Sequence, residues 1–438
     1  MFRMGLAGAA LLLAVRPATS QVSQTPLLDQ LIQPSNAGGA TAFQPGVTVV
    51  TRARPAYDSS GVSVGNFVIR PELDESFGYD SNVLSSSHPR GSPMVETNAA
   101  IGAVNDFGDS HVGARVSIDD LRYTSQPTQD FTNWTAALDA SHKFGRDILA
   151  ASYIHLALAE TPGGLDTPQL QRPLPYYIDS AQVSYQANFS RSFLKPALEV
   201  AQYSFGNGMS QGVGFNQSYR NRIVVTPSLT AGYEISPQRN AVIIVRDSIA
   251  RYQNPLIGQP GRDFNDISVL AGLDYDTDSV IRYRVLAGYE LRSFSSPQYK
   301  SIQAPILEAS AIWTPTGLTT VTGTLGRRIE DSADETTAGY TLSYAQLRLD
   351  HEYLPNVLLY AGGGLFFTQY RGGVGNQSLY SAGLGATYLM SRRVQLELGY
   401  TFTGRNSPGG ISFGLLGPVS NASSYTDHRI ELTLRLRL

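Results

Sequence analysis

The chain has 438 residues, with 42 Gly, 24 Tyr, 17 Phe and no Cys. Charged residues make up only 16% of it, and 33 Lys and Arg stand against 36 Asp and Glu. That balance removes nucleic acid from the candidate partners. The lack of Cys removes disulfide scaffolds, thiol nucleophiles and Cys-ligated metals. The aromatic and branched aliphatic content removes disorder over most of the chain.

Residues 1–20 read as a secretory signal peptide. Arg3 supplies the positive start, Gly5 to Val15 the apolar run, and Ala18-Thr19-Ser20 a small-x-small cleavage site near Ser20. Arg16 and Pro17 end the run well short of the roughly 20 apolar residues that a helical anchor needs. Residues 21–62 are rich in Pro, Gly, Ala and Gln without any period, and are expected to form a disordered periplasmic tether. Within it Leu27 to Ile32 spells a short amphipathic stretch suited to docking a partner or a barrel mouth. No later segment has the length of a spanning helix, so entry into a membrane must use strands, closed so that no backbone group is left unpaired in lipid.

From residue 63 to 438 apolar and polar residues alternate over stretches of roughly ten positions, the length of a tilted membrane-spanning strand. Tyr219, Ile223, Val225, Leu229, Ala231, Tyr233 and Ile235 share one parity, with Arg220, Arg222, Thr226, Ser228, Thr230 and Glu234 on the other. Ile281, Tyr283, Val285, Ala287, Tyr289 and Leu291 oppose Arg282, Arg284 and Glu290. Val394, Leu396, Leu398, Tyr400 and Phe402 oppose Arg393, Gln395, Glu397 and Thr401. In the last segment Ile430, Leu432, Leu434, Leu436 and Leu438 oppose Glu431, Thr433, Arg435 and Arg437.

Tight turns fall at Gly108-Asp109, Gly145-Arg146, Arg191-Ser192, Pro237-Gln238, Thr277-Asp278, Pro315-Thr316, Pro355-Asn356 and Ser391-Arg392. Longer loops lie between them, among them 161–175, 206–217, 254–262, 331–337 and 405–424. Short periplasmic turns alternating with long external loops are the pattern of an outer-membrane barrel. The fold class is therefore all-β, a transmembrane antiparallel up-and-down β-barrel of about eighteen strands, with sixteen as the nearest alternative. Aromatics near strand ends are expected to form the two interfacial girdles: Tyr79, Tyr123, Trp134, Phe144, Tyr177, Phe189, Tyr203, Tyr233, Tyr275, Trp313 and Tyr400.

If the apolar parity faces lipid, Arg220, Arg222, Glu234, Arg282, Arg284, Glu290, Glu431, Arg435 and Arg437 line the lumen. A basic or acidic side chain facing lipid at the midplane is costly, about 2–4 kcal/mol for Arg or Lys. Opposed charges across a wet pore create a transverse field that selects solutes. The same residues can also simply pair across strands and stiffen the wall.

The succession Arg54-Pro55-Ala56-Tyr57-Asp58, Gly61 to Phe67, and Gly78-Tyr79-Asp80-Ser81-Asn82 resembles the opening of the "putative beta-barrel porin 2" family of proteobacterial outer-membrane proteins. The resemblance implies an outer-membrane barrel without a catalytic signature, in some members encoded beside exopolysaccharide export genes. Leu438 departs from the terminal Phe usual in barrel-assembly signals.

Two G-x-S-x-G segments, Gly208 to Gly212 and Gly410 to Gly414, lack the following helix a nucleophile elbow requires. Asp274 to Asp278 begins like an EF-hand loop but carries Ser279 and Val285 where Gly and Glu are needed. No catalytic residue, cofactor or metal site is expected. The reading is a porin-like outer-membrane channel for passive passage of hydrophilic solutes; the alternative is an accessory barrel of exopolysaccharide export, and a lipase-type enzyme ranks third. Expected partners are outer-membrane lipid, the barrel-assembly machinery through the final strand and, under the alternative, a periplasmic polysaccharide-export partner.

Overall fold

The computed structural model describes residues 47–438 apart from 168–169, 211, 256–257, 276–279, 335–336, 372–374 and 408–423. Eighteen antiparallel strands close into one barrel. Each strand pairs with its neighbours in sequence. The first, Phe67–Asp80, closes the ring against the last, Tyr425–Arg437, with Glu72 opposite Arg437 and Asp80 opposite Arg429. Closure leaves no strand edge for the hydrocarbon to meet. The tight turns sit on one rim, between strand pairs such as Ser92–Phe107 and Ser110–Tyr123. At two of them Gly108 and Gly145 take φ of 62° and 65°, the left-handed backbone that a two-residue hairpin demands. Thr277 and Asp278 lie outside the described residues.

Strands such as Ile281–Phe294 run 14 residues. At roughly 3.3 Å per residue and a tilt of about 40° they stand taller than the apolar band of about 25 Å. Their outer ends therefore rise clear of the lipid. Along Ile281–Phe294 the alternation is strict: Ile281, Val285, Tyr289 and Leu291 are exposed on the outer wall, while Arg282, Arg284, Leu286, Glu290 and Arg292 are buried inside. On the last strand Ile430, Leu432, Leu434 and Leu436 face out, and inward Thr433 shares a 2.8 Å hydrogen bond with Ser76 across the closing seam.

Tyr79, Trp134, Phe144, Tyr177, Phe189, Tyr233 and Trp313 are exposed on the outer wall. Tyr123 and Tyr203 are not girdle residues. Each has the parity of inward neighbours, Leu121 and Ala201. The Tyr123 hydroxyl donates to Asp80 at 3.1 Å, and the Tyr203 ring lies 4.1 Å under the Arg222 guanidinium. His155 faces outward, its ring 4.5 Å from that of Trp134 and its Nδ1 2.7 Å from Asp179.

Two external loops turn into the bore. Residues 161–167 leave the strand Asp147–Glu160 and reach the far wall. There Arg405 donates to the carbonyl oxygens of Pro162 (2.8 Å) and Gly164, and the Tyr425 hydroxyl donates to that of Gly163 (2.9 Å). Residues 332–334 and 337–338 follow the strand Thr319–Asp331 into the bore, and the Arg262 guanidinium donates to the carbonyls of Ser332, Asp334 and Thr337. Leu165 and Ala333 then pack in one buried cluster with the inward Tyr340, Leu342, Phe366, Tyr370, Leu379 and Tyr425.

At the opposite rim the described part of the N-terminal segment is held against the wall. The Val49 amide donates to Thr320 Oγ1 at 2.9 Å, Arg52 and Arg54 both reach Glu352, and Arg392 donates to the Pro55 carbonyl at 2.7 Å. Val62–Val64 pairs with the start of the first strand, Val64 opposite Phe67, continuing the wall beyond the last strand. The signal peptide and Leu27 to Ile32 lie outside the described residues.

Candidate functional site

The strands from Asp147–Glu160 to Gly339–Leu354 enclose a cavity of about 560 Å³ beneath the in-folded loops. Small hydroxyl side chains line much of it, including Ser184, Thr226, Ser228, Ser268 and Ser310. These come from the inward polar positions of strands whose alternate positions carry the outer apolar belt. Below them an apolar row, Val242, Ile244, Leu270, Leu286 and Ile306, crosses four neighbouring strands.

Charges sit in two tiers of this wall. In the outer tier Arg292 is buried, its guanidinium 2.8 Å from Asp266 and 2.6 Å from Asp331, with its plane 4.0 Å over the Phe264 ring. Arg222 meets the other oxygen of Asp331 at 2.9 Å and lies between the rings of Tyr203 and Tyr252. Glu290 accepts the Ile329 amide at 3.2 Å. Arg220 pairs with Glu160 at 2.8 Å over the Phe205 ring. It belongs to a single 3-10 turn, Ser218–Arg220, because the strand begins only at Arg222.

The inner tier is more cationic at its centre. Lys195 and Arg284 lie close enough to repel one another, as do Arg284 and Arg246. Arg246 also grips Glu308 with two nitrogens, at 2.6 and 3.3 Å, and Arg284 stands in register with Asp274. Arg282 is buried one inward position nearer the turn. On the facing wall Arg435 bridges Glu397 (2.8 Å) and Asp74 (3.4 Å), Arg429 links Glu431 to Glu96, and Arg437 stands in register with Glu72. Glu234 is apart from both tiers: its carboxylate accepts the Gln238 amide at 3.2 Å and caps a periplasmic turn.

The sequence reading omitted Lys195, Arg246, Asp266, Arg292, Glu308 and Asp331, and Lys195 was the legible one among them. It alternates with Leu194, Pro196, Leu198 and Val200, so its inward parity follows from its own strand. Asp331 was not legible. Beyond Arg327 its strand parts from Ile302–Thr316 and leans into the bore, so simple alternation fails there.

Among the described residues no three metal-ligating side chains converge. Asn207–Ser210 pairs antiparallel with Val213–Asn216, so Gly212 leads into a strand and not a helix. Gly410 to Gly414 lies outside the described residues.

The family model of "Putative beta-barrel porin 2" matches residues 54–438. No curated protein matches the chain. Among solved structures, the chain is similar to OccAB2 of Acinetobacter baumannii at 11% identity and a TM-score of 0.45, over 86% of this chain and 99% of that one. It is similar to OccK2 (OpdF) of Pseudomonas aeruginosa at 12% identity and 0.45, over 84% and 98%. A BenF-like porin from Pseudomonas fluorescens Pf-5 follows at 10% identity and 0.45, over 86% and 100%.

Proposed function

The chain belongs to the "Putative beta-barrel porin 2" family and is an outer-membrane β-barrel channel, and from that premise we propose that its inner tier of charge favours small hydrophilic anions. The observation that carries this reading is the convergence of Lys195, Arg246 and Arg284 on one hydroxyl-lined cavity, close enough to repel one another. An anion passing between them relieves that repulsion, and the hydroxyls of Ser184, Thr226 and Ser310 replace part of its hydration shell. A cation gains less there, since Glu308 is paired with Arg246 and Asp274 stands in register with Arg284, which leaves the three cations in excess over these two carboxylates. The tier of Arg292, Asp266, Asp331 and Arg222 is nearly self-neutral and acts as a rigid rim.

The test is single-channel conductance of the refolded mature protein in a planar bilayer under a salt gradient. The expected result is steady open steps with a reversal potential on the anion side, moving toward the cation side in Arg282→Gln/Arg284→Gln. Open steps without charge preference would reject the filter. Silence from a heat-modifiable, folded barrel would reject a self-sufficient channel and favour one that works only with an export partner.

A further inference from the structure

The two loops that enter the bore meet at one carboxylate. Asp166 sits on the loop that crosses from the strand Asp147–Glu160 and is buried within the bore. Its Oδ2 accepts the Ala333 amide at 2.6 Å, and its Oδ1 accepts the Ser332 hydroxyl at 3.0 Å and the Tyr370 hydroxyl at 2.8 Å. One side chain thus ties the first loop to the second loop and to the far wall. Its own backbone is held too: Gln377 accepts the Asp166 amide at 2.9 Å, and φ is 53°, a left-handed conformation that Asp tolerates better than most residues.

We propose that Asp166 with Ser332, Ala333 and Tyr370 forms a proton-operated latch that joins the two loops and closes the outer mouth of the channel in acid. Three features carry it. The partners of the carboxylate are neutral donors, so no cation in contact holds it ionised. The joint itself lies within a buried apolar cluster that includes Leu165 and Ala333. The two loops are anchored separately, one by Arg405 and the other by Arg262, both spending their guanidinium on backbone carbonyls. Among the described residues, Asp166 carries the hydrogen bonds that join the two loops, beside the apolar packing of Leu165 and Ala333.

The groups around the latch fix the sign of the effect. From the wall, Tyr370 donates directly and Tyr340 packs 5.0 Å from it, ring to ring. From the 3-10 turn, Arg220 acts on Asp166 from a distance while paired with Glu160, and the Tyr219 hydroxyl donates to the Ala333 carbonyl at 2.5 Å. From the second loop, the Asp334 carboxylate accepts the Thr337 amide at 3.1 Å. Burial outweighs the three hydrogen bonds and the distant Arg220, and pushes the Asp166 carboxyl up to about 7. A solvated aspartate titrates near 4. The joined state thus binds the proton more tightly than the separated one. Joining is fully favoured below about pH 4 and loses its advantage as the pH rises through 7. The gap corresponds to a change of up to ~1000-fold in the joined-to-separated ratio.

Two readouts test it on the full mature barrel in bilayers or detergent: conductance between pH 5 and 8, and deuterium uptake of peptides covering 332–338, corrected for intrinsic exchange. The wild type is expected to close more often, and to protect 332–338 more strongly, at pH 5. Asp166→Asn keeps a neutral acceptor and should stay closed and protected at both values; Asp166→Ala should be open and unprotected at both. Heat-modifiability confirms that each variant is folded, and Tyr370→Phe, a milder loss, should move the wild-type transition to lower pH. Equal protection of 332–338 at pH 5 and 8 in the wild type would overturn the latch, as would a wild-type pH response in Asp166→Asn. Because protection is read without ion flow, a silent barrel that still shows the pH-dependent protection would reject the channel reading and leave the latch standing.

Discussion

The two halves of the bore use one kind of wall in opposite ways. On one side of the outer half the strands Gly339–Leu354 and Val357–Tyr370 turn Tyr340, Leu342, Phe366 and Tyr370 inward, and two loops are drawn in to cover them as a core. In the inner half the inward positions facing the cavity are largely Ser, Thr and long charged side chains, and the space between them stays open. The outward positions at mid-strand are aliphatic around the ring, as at Leu138, Val245, Leu325, Leu398 and Leu434. The contrast teaches that a barrel's exterior is dictated by the membrane, whereas its interior is free to be either a container for packed chain or a conduit for solute. Resistance to passage belongs where the bore is packed; discrimination by charge belongs where it is wet.

The largest effect should come from breaking the packed half. Leu165→Ala removes a buried side chain of the joint, and such truncations cost about 2–5 kcal/mol. It should open the channel even at pH 5 and strip protection from 332–338. Arg262→Met should come next. It leaves the carbonyls of Ser332, Asp334 and Thr337 without their shared donor, and a buried acceptor left unsatisfied costs about 1–3 kcal/mol. Conductance noise should rise, with normal heat-modifiability. In the wet half, Lys195→Glu should reverse the charge preference several-fold in reversal-potential measurements and leave the protection of 332–338 unchanged. An effect on both halves at once would show that they are not separate devices. The smallest effect is expected at the inner rim. Glu352→Gln loosens Arg52 and Arg54, and ion pairs near the surface contribute about 0–1 kcal/mol. Faster proteolysis within 47–58, without change in single-channel steps, is the expected outcome.

Much of the wall was readable in advance because alternation is local. Arg282, Arg284 and Glu290 are inward because Ile281, Val285 and Tyr289 must be outward, and no distant residue enters that argument. The same holds for Arg435 opposite Leu434 and Leu436. Reading aromatics by their nearness to strand ends alone was weaker, since Tyr123 and Tyr203 have inward parity and serve as partners for Asp80 and Arg222. Arg220 shows the same limit: its parity extrapolated from a strand that had not yet begun.

The sequence alone therefore determined the barrel, a strand number near eighteen, most of its turns and the face that most residues of the regular strands present. Those follow from two constraints that act on neighbouring residues, backbone pairing without water and an apolar outer face. What only the tertiary structure decided is the filling of the bore. Asp166 and Ser332, or Arg405 and Pro162, lie far apart in the chain and carry no periodic signal. They meet because the ring of strands closes and brings opposite walls within reach of a short loop.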